Sequence, residues 1–364
     1  MDPQHVFCPN LDWPARGQIG QGNIGVHSWQ ERRYRCHVCG QPFSARKGTP
    51  FYRRRTPEAT MEQILTLVAH GCPIPAIEAA FGIQRRTVQQ WVDAAGAQCA
   101  QVHQHYVIQP RDLQHVQADE LRVKTQRGVV WMALAVMVST RLWLGGTVSP
   151  HRDKGLIRTL VAQIRACALP RPVLLVADGL VTYVDAFRKA FRTPQRTGKR
   201  GAPRLVVWPE LVIGQVVKHT RQRRVVAVVR RLAHGSRTLA QQLIRQTQGA
   251  GVLNTAYIER LNGTFRARLA VLVRRTHGAA RRQARLQAGM YLIGTVYNFC
   301  TDHASLTQRD QGVRTPAMAA GITDHRWSVG ELLRQRIPPP RWQPPKRRGR
   351  RSQALQQLID RWCT

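Results

Sequence analysis

From His115 onward the chain is written in strands. HVQADELRV, VVWMALAVMV and RLWLGGTV follow one another with only Arg127-Gly128 and Ser139-Thr140 as turns between them, so three consecutive antiparallel strands are expected. Next comes a helical stretch from Asp153 to Ala168, and then Pro172 to Ala177 (PVLLVA), continuously apolar and therefore expected as a strand buried on both faces. Val181 to Phe191 is helical again. Three antiparallel strands followed by helix, strand, helix fold as an α/β domain with one sheet covered by helices. Residues 193–252 are basic and less patterned, with a strand expected at Arg224 to Val229, and residues 254–300 are strongly helical.

The region before this domain divides in two. Residues 1–55 lack helical periodicity and are rich in Gly, Pro, Cys and Arg, with His5, Cys8, Cys36, His37 and Cys39 among them, which suggests a small metal-stapled module. In residues 56–100, Met61, Ile64, Leu65 and Val68 recur at helical spacing and Gly71 supplies a stop. A short helix from Pro75 to Phe81, a turn at Gly82-Ile83 and a third helix from Gln84 to Ala95 complete a helix-turn-helix pattern. Val88, Trp91 and Val92 are expected to pack, leaving Gln84, Arg85, Arg86, Thr87, Gln89 and Gln90 on the polar face. Gln and Arg are the side chains that read adenine and guanine edges in the major groove.

Charge narrows the partner. The chain carries 56 Lys and Arg against 20 Asp and Glu, a formal net charge of +36, and Arg is spread along its whole length. Basic membrane-surface proteins concentrate their cations in an amphipathic helix or a juxtamembrane cluster. An even spread fits nucleic acid, whose phosphates release counterions when neutralised and match the guanidinium fork. The longest apolar run, Val129 to Val138, is half the roughly 20 residues that a spanning helix needs, and MDPQHVFCPN shows no secretory signal. A cytoplasmic, nucleoid-associated protein without a membrane partner is expected. The Pro- and Arg-rich stretch Pro338 to Arg351, within a tail at 336–364, is expected to be an unfolded cationic arm ending in a short helix at Gln353 to Trp362.

Against this background any carboxylate is conspicuous: residues 121–300 hold five, Asp153, Asp178, Asp185, Glu210 and Glu259, against 32 Lys and Arg. Asp178 closes the buried strand in PVLLVADG, where ionising it costs energy unless a cation or hydrogen bond compensates. Ligands of such sheets bind beyond the carboxyl ends of the strands. Asp119 and Glu120 lie inside the first strand on opposite faces, and the pattern does not decide which points inward, although Asp119 shares its face with Leu121 and Val123. Glu259, in NTAYIERLNGTFR, shares a helix face with Thr255, Asn262 and Arg266, away from the stripe of Ile258, Leu261, Phe265 and Leu272. Converging, Asp119, Asp178 and Glu259 would hold two Mg²⁺ (or Mn²⁺) ions about 3.5 to 4 Å apart for an in-line displacement at phosphorus.

QADELRVK, VLLVADG, NTAYIERLNGTFR and RTPAMAAGITDHRW together resemble bacterial insertion-sequence transposases with a ribonuclease H-like catalytic domain and an aspartate, aspartate, glutamate triad. The resemblance spans residues 5–335, and its most specific piece is the YIERLNGTFR helix. It implies a multidomain α/β protein: a zinc-ribbon-like head at 1–55, a helix-turn-helix at 56–100 and a catalytic domain at 113–335. It makes Asp119, Asp178 and Glu259 the triad, with Asn262 and Arg266 as helix neighbours. The 81 residues between Asp178 and Glu259 exceed the usual spacing, implying an insertion at about 193–252 and leaving Glu210 as a rival third ligand. Expected partners are double-stranded DNA, as element ends and target, and further copies of the chain. The cysteines resemble the zinc-binding head of such enzymes: Cys36 and Cys39 have knuckle spacing and Cys8 stands upstream. Trp13 occupies the place of a second upstream cysteine, so either a single zinc takes His5, His27, His37 or Asp12 as fourth ligand or the head is degenerate and its zinc site lost. The rival readings are a non-catalytic helix-turn-helix regulator or transposase remnant, and a structure-directed nuclease.

Overall fold

A computed structural model describes the chain except residues 126–127, 197, 199–200, 223, 250, 273–282, 308–311, 345–348 and 364. Two compact units are present, Met1–Met61 with Leu333–Thr364, and Glu62–Leu332.

In the first unit, β1 (Ile24–Ser28), β2 (Arg33–Cys36) and β3 (Pro42–Ser44) form an antiparallel sheet. Alternation along β2 buries Tyr34 and Cys36, which join Val6, Cys8, Ile24 and Phe43 in a small core. The helices α1 (Glu58–Ala69), α2 (Ile74–Phe81) and α3 (Arg85–Val102) follow in sequence, α1 running across the boundary between the units and α2 and α3 belonging to the second. Gly82, in the left-handed region at φ 65°, closes α2 and donates its N–H to the Glu78 carbonyl, as a helix C-cap glycine does. Val88, Trp91 and Val92 are buried as the periodicity requires. The third helix runs further than expected, to Val102, because Ala95, Cys99 and Val102 continue its buried stripe.

The second unit is built on a six-stranded mixed sheet. Its strands are β4 (His115–Thr125), β5 (Gly128–Met137), β6 (Trp143–Ser149), β7 (Val173–Asp178), β10 (Leu211–Arg221) and β11 (Arg224–His234), in the order β11-β10-β7-β4-β5-β6. Between them come α4 (Lys154–Ala166), α5 (Val181–Ala190) and a separate two-stranded pairing of β8 (Arg192–Gln195) with β9 (Arg204–Val207). After the sheet come α6 (Arg237–Gln248), α7 (Ala256–Arg268), α8 (Gln283–Cys300), α9 (Pro316–Ala319) and α10 (Val329–Arg334), which crosses into the first unit, where α11 (Gln353–Trp362) belongs. The three antiparallel strands β4-β5-β6 stand as expected, although Arg127 of the first expected turn lies outside the described residues. β7 runs parallel to β4 and to β10.

The chain is thus a mixed α/β protein. Leu121, Val123, Met132, Leu134 and Trp143 pack against Ile258, Leu261 and Phe265 of α7 and Leu286, Met290 and Ile293 of α8. On the neighbouring strands Leu174, Val176, Val212 and Val216 are covered by Ala240, Leu243 and Ile244 of α6. No helix among the described residues is long and apolar enough to cross a membrane.

Two expectations need correction. Residues 193–252 are not one insertion, since β10 is a parallel neighbour of β7 in register from Leu211↔Val173 to Val216↔Asp178. Among the described strands of this stretch, only the β8–β9 pair stands apart from the main sheet. The basic character of the stretch concealed LVIGQVV, whose first six residues are buried. Nor are the described residues of the tail a free arm, residues 345–348 of the expected arm lying outside them. The Arg16 guanidinium donates to the Pro340 carbonyl at 2.9 Å, the Arg336 guanidinium to that of Ala45, and Trp362 on α11 is buried. Its prolines favour extended backbone whose carbonyls stay open to donors from the head, and the terminal Trp supplies an apolar anchor.

Candidate functional site

The site forms where β4 and β7 run side by side. Their register, Gln117↔Val176, places Asp119 beside Asp178 one pleat further on, on the same face and within a strand spacing of about 4.8 Å. Asp178 ends β7, where one carboxylate oxygen accepts the Leu180 N–H at 2.9 Å and the other meets Arg152 at 3.2 Å. Glu259 comes from the first turn of α7. Asp119, Asp178 and Glu259 line one open cleft of about 610 Å³ together with Asn262, Arg266, Arg152 and Lys218.

The docking of α7 decides where Glu259 stands. Thr255, at the helix N-cap, offers no capping hydrogen bond to the first turn; its hydroxyl donates to the Glu259 carboxylate at 2.5 Å. The cap comes from the sheet. The Gln117 side-chain oxygen accepts the N–H groups of Tyr257 at 3.0 Å and Ile258 at 3.1 Å, and its amide donates to the Asn254 carbonyl at 2.8 Å. Gln117 is fully buried on the same face of β4 as Asp119, so one strand carries a carboxylate and, two residues away, the clamp that fixes the helix of another. Asn262, one turn below Glu259, donates to Asp119 at 2.8 Å.

Each carboxylate has a distinct environment. Burial, reinforced by Glu120, Asp178 and Glu259, pushes the Asp119 carboxyl up to about 7. Burial would also raise Glu259, but the Lys218 ammonium and the Thr255 hydroxyl outweigh it and hold that carboxyl below its ordinary range. Glu120, on the opposite face of β4, is buried and raised by burial against the opposing pull of Arg152, which meets it at 2.8 Å. Its other oxygen is buried, with the buried Tyr183 hydroxyl as its neighbour. Carboxylate oxygens of Asp119, Glu120 and Asp178 lie within 4.8 Å of one another, a hard-oxygen set suited to a divalent cation.

The structure therefore brings Asp119, Asp178, Glu259, Asn262 and Arg266 to one cleft, with Glu120 drawn into the acidic cluster rather than excluded by facing away. Glu210 is ruled out as a rival ligand: it precedes Leu211 at the far end of β10, six residues or about 20 Å of strand from Val216 beside Asp178. Sequence reasoning missed Gln117, Arg152 and Lys218. Gln117 alone left a signal, as a polar residue two positions before Asp119 in a strand bound for the core.

Gln84, at the N-cap of α3, and Arg85, Arg86 and Gln90 on the helix are exposed, and Thr87 and Gln89 partly so. Arg85 is tied to Glu78 of α2 by a short ion pair, and Gln89 donates to Asp93 at 2.9 Å, so neither is an uncommitted side chain. In the head, the sulfurs of Cys8, Cys36 and Cys39 lie within 4.8 Å of one another, with Cys8 and Cys39 3.6 Å apart. Burial pushes the Cys8 thiol up to about 12. Among the described residues no histidine or carboxylate joins these three. His5 is paired with Asp2, and the exposed His37 ring lies over Gly25, where an added Cβ would meet its Nε2 at 2.6 Å.

No family model matches the chain, and no curated protein matches it.

Proposed function

We propose that the chain is a DNA transposase with a ribonuclease H-like catalytic domain that cleaves and joins phosphodiesters at the ends of an insertion sequence. The observation that carries this reading is the convergence of Asp119, Asp178 and Glu259, from a strand, its parallel neighbour and a later helix, on one cleft. The clustered hard-oxygen donors of Asp119, Glu120 and Asp178 fit a divalent cation. Mg²⁺ or Mn²⁺, held there by Asp119 and Asp178 with Glu120 in the same oxygen set and Glu259 in the same cleft, would supply the Lewis acidity that activates an attacking oxygen and stabilises a leaving one. The chain's own groups do the rest. Asn262 fixes the rotamer of Asp119, Lys218 and Thr255 fix that of Glu259, and Arg266 adds positive charge at the cleft where a phosphate would lie. The helix-turn-helix residues of α3 would read the element's end, and the three head thiols would hold one zinc.

The test is strand cleavage of labelled duplexes carrying the ends of the element that encodes the chain, with Mg²⁺ and with EDTA. Asp119→Ala, Asp178→Ala and Glu259→Ala are each expected to abolish cleavage while DNA binding survives, slightly strengthened by the loss of a negative charge. Normal cutting by Glu259→Ala alongside a dead Glu120→Ala would reassign the third ligand. A second reading, a DNA-binding regulator without catalysis, draws on Arg152 and Lys218, which already neutralise Asp178 and Glu259. Wild-type protein that binds the ends yet never cuts them in Mg²⁺ or Mn²⁺ favours it.

A further inference from the structure

Helix α7 has a second functional face. Glu259, Asn262 and Arg266 look into the acidic cleft, whereas Tyr257, Arg260, Thr264 and Arg268 line a separate cavity of about 190 Å³. Its other walls come from Arg141, between β5 and β6, and from the C-terminal end of α8 and the residues after it, including Tyr297 and Thr301. Three guanidinium groups therefore converge on one small space. None of the three has a carboxylate partner among the described residues, and Asp302, the acid at the rim, is engaged by Arg326 at 2.6 Å.

The arrangement is built rather than incidental. Arg141 adopts a left-handed backbone, φ 60°, and its side chain lies over the Tyr257 ring at 4.1 Å. Its Nη1 is buried, and Tyr257 is the side chain it interacts with, so an anion entering the cavity would add acceptors to a donor that has a single neutral neighbour. The Tyr297 hydroxyl donates to the Arg141 main-chain carbonyl at 3.1 Å and Arg268 donates to the Thr301 hydroxyl at 3.1 Å, so the backbone of Arg141 and the guanidinium of Arg268 are each held by a neighbour. Holding like charges together without a counter-charge is costly, and in this chain the cost is incurred in a pocket lined by hydroxyls. A tetrahedral oxyanion with several acceptor oxygens meets each of these demands, and planar guanidinium forks match it in geometry.

We propose that Arg141, Arg260 and Arg268 form a phosphate-binding pocket on the face of α7 opposite the carboxylates. The phosphate is either a free phosphate ion or a backbone phosphodiester of bound DNA, the chemistry being shared. The pocket uses none of the residues of the cleavage reading and stands or falls apart from it.

The test uses the full chain with inorganic phosphate as probe, read as a saturable rise in melting temperature at constant ionic strength. Arg260→Gln is the informative variant, because Arg260 is exposed on α7 and its substitution should leave the fold intact, checked by an unchanged melting temperature without phosphate. It should weaken phosphate binding about tenfold. Arg192→Gln, the same charge change at a distant site, should leave it intact. Equal losses in both variants, or no saturable component in the wild type, would overturn the proposal, the first outcome meaning that phosphate responds only to overall charge. In a second arm, random-sequence duplex DNA is added first. If DNA abolishes the phosphate increment in wild type, the natural occupant is the DNA backbone; if the increment persists, it is a free phosphate.

Discussion

Asp119 is the residue on which the site's chemistry turns. Its proton is held to about pH 7 in the native state, chiefly by burial, whereas an unfolded chain releases it near the ordinary carboxylate value of about 4. Between those values the native state binds more protons than the unfolded one. This group's contribution to stability is therefore full below about pH 4 and is lost as pH rises to 7. In EDTA, the wild type should show a falling melting temperature over that range relative to Asp119→Asn; identical pH profiles would show that the carboxyl is not shifted. A divalent cation displaces this proton, so its apparent affinity should rise by about tenfold per unit up to pH 7 and then level. In the head, three thiolates without a fourth partner bind zinc weakly, and Trp13→Cys should raise zinc affinity and the head's melting temperature together. A tightly held zinc unchanged by that substitution, seen by elemental analysis, would point to a ligand from outside the thiol cluster.

Among the elements, α7 depends most on a neighbour. Its first-turn N–H groups are capped from β4 by Gln117, because the residue at its own N-cap is committed to Glu259. Gln117→Leu keeps the size and removes the acceptor, leaving two N–H groups unsatisfied against the sheet. The expected cost is about 2 to 4 kcal/mol of stability. Amide exchange should quicken at Tyr257 and Ile258, and Glu259 should lose its fixed distance from Asp119. Gln117→Glu retains the acceptor oxygens and should recover part of both. Unchanged exchange in Gln117→Leu would mean that solvent caps the helix equally well.

At the scale of the molecule, chain ends 270 and more residues apart in sequence build a single unit. Residues Leu333–Thr364 belong with Met1–Met61, joined by Arg16 to Pro340 and Arg341, by Gln18 to Trp362 and by the close approach of Pro339 to Gly17. Gly17 has φ 69°, and a Cβ there would sit 2.7 Å from the Pro339 carbonyl oxygen, so glycine is required twice over. Ending the chain at Leu332 should lower the melting temperature of this unit by about 5 °C or more and expose the 8–17 loop to protease. An unaltered melt would show that the tail rests on the head without supporting it. With a formal charge of +36, DNA affinity should also fall steeply with salt, and the slope of log K against log[salt] would count the phosphates engaged.

Period and composition by themselves determined much of this protein. The strands β4 to β7 and the helices α3, α4, α5 and α7 were readable because their apolar spacing is regular. Asp119, Asp178 and Glu259 stood out because acids are so scarce around them. The role of 211–221 as a sheet strand was hidden, since burial by α6 rather than local pattern makes it a core strand. Tertiary structure alone decided that Glu120 joins the acidic cluster through Arg152, that Lys218 meets Glu259, and that Gln117 caps a helix 140 residues away. It also decided that the tail docks and that three scattered arginines share a cavity. The reason is physical: local pattern records which face of an element is buried, whereas the partner of a buried polar group is set by which elements cross above it, and that information is distributed over the whole chain.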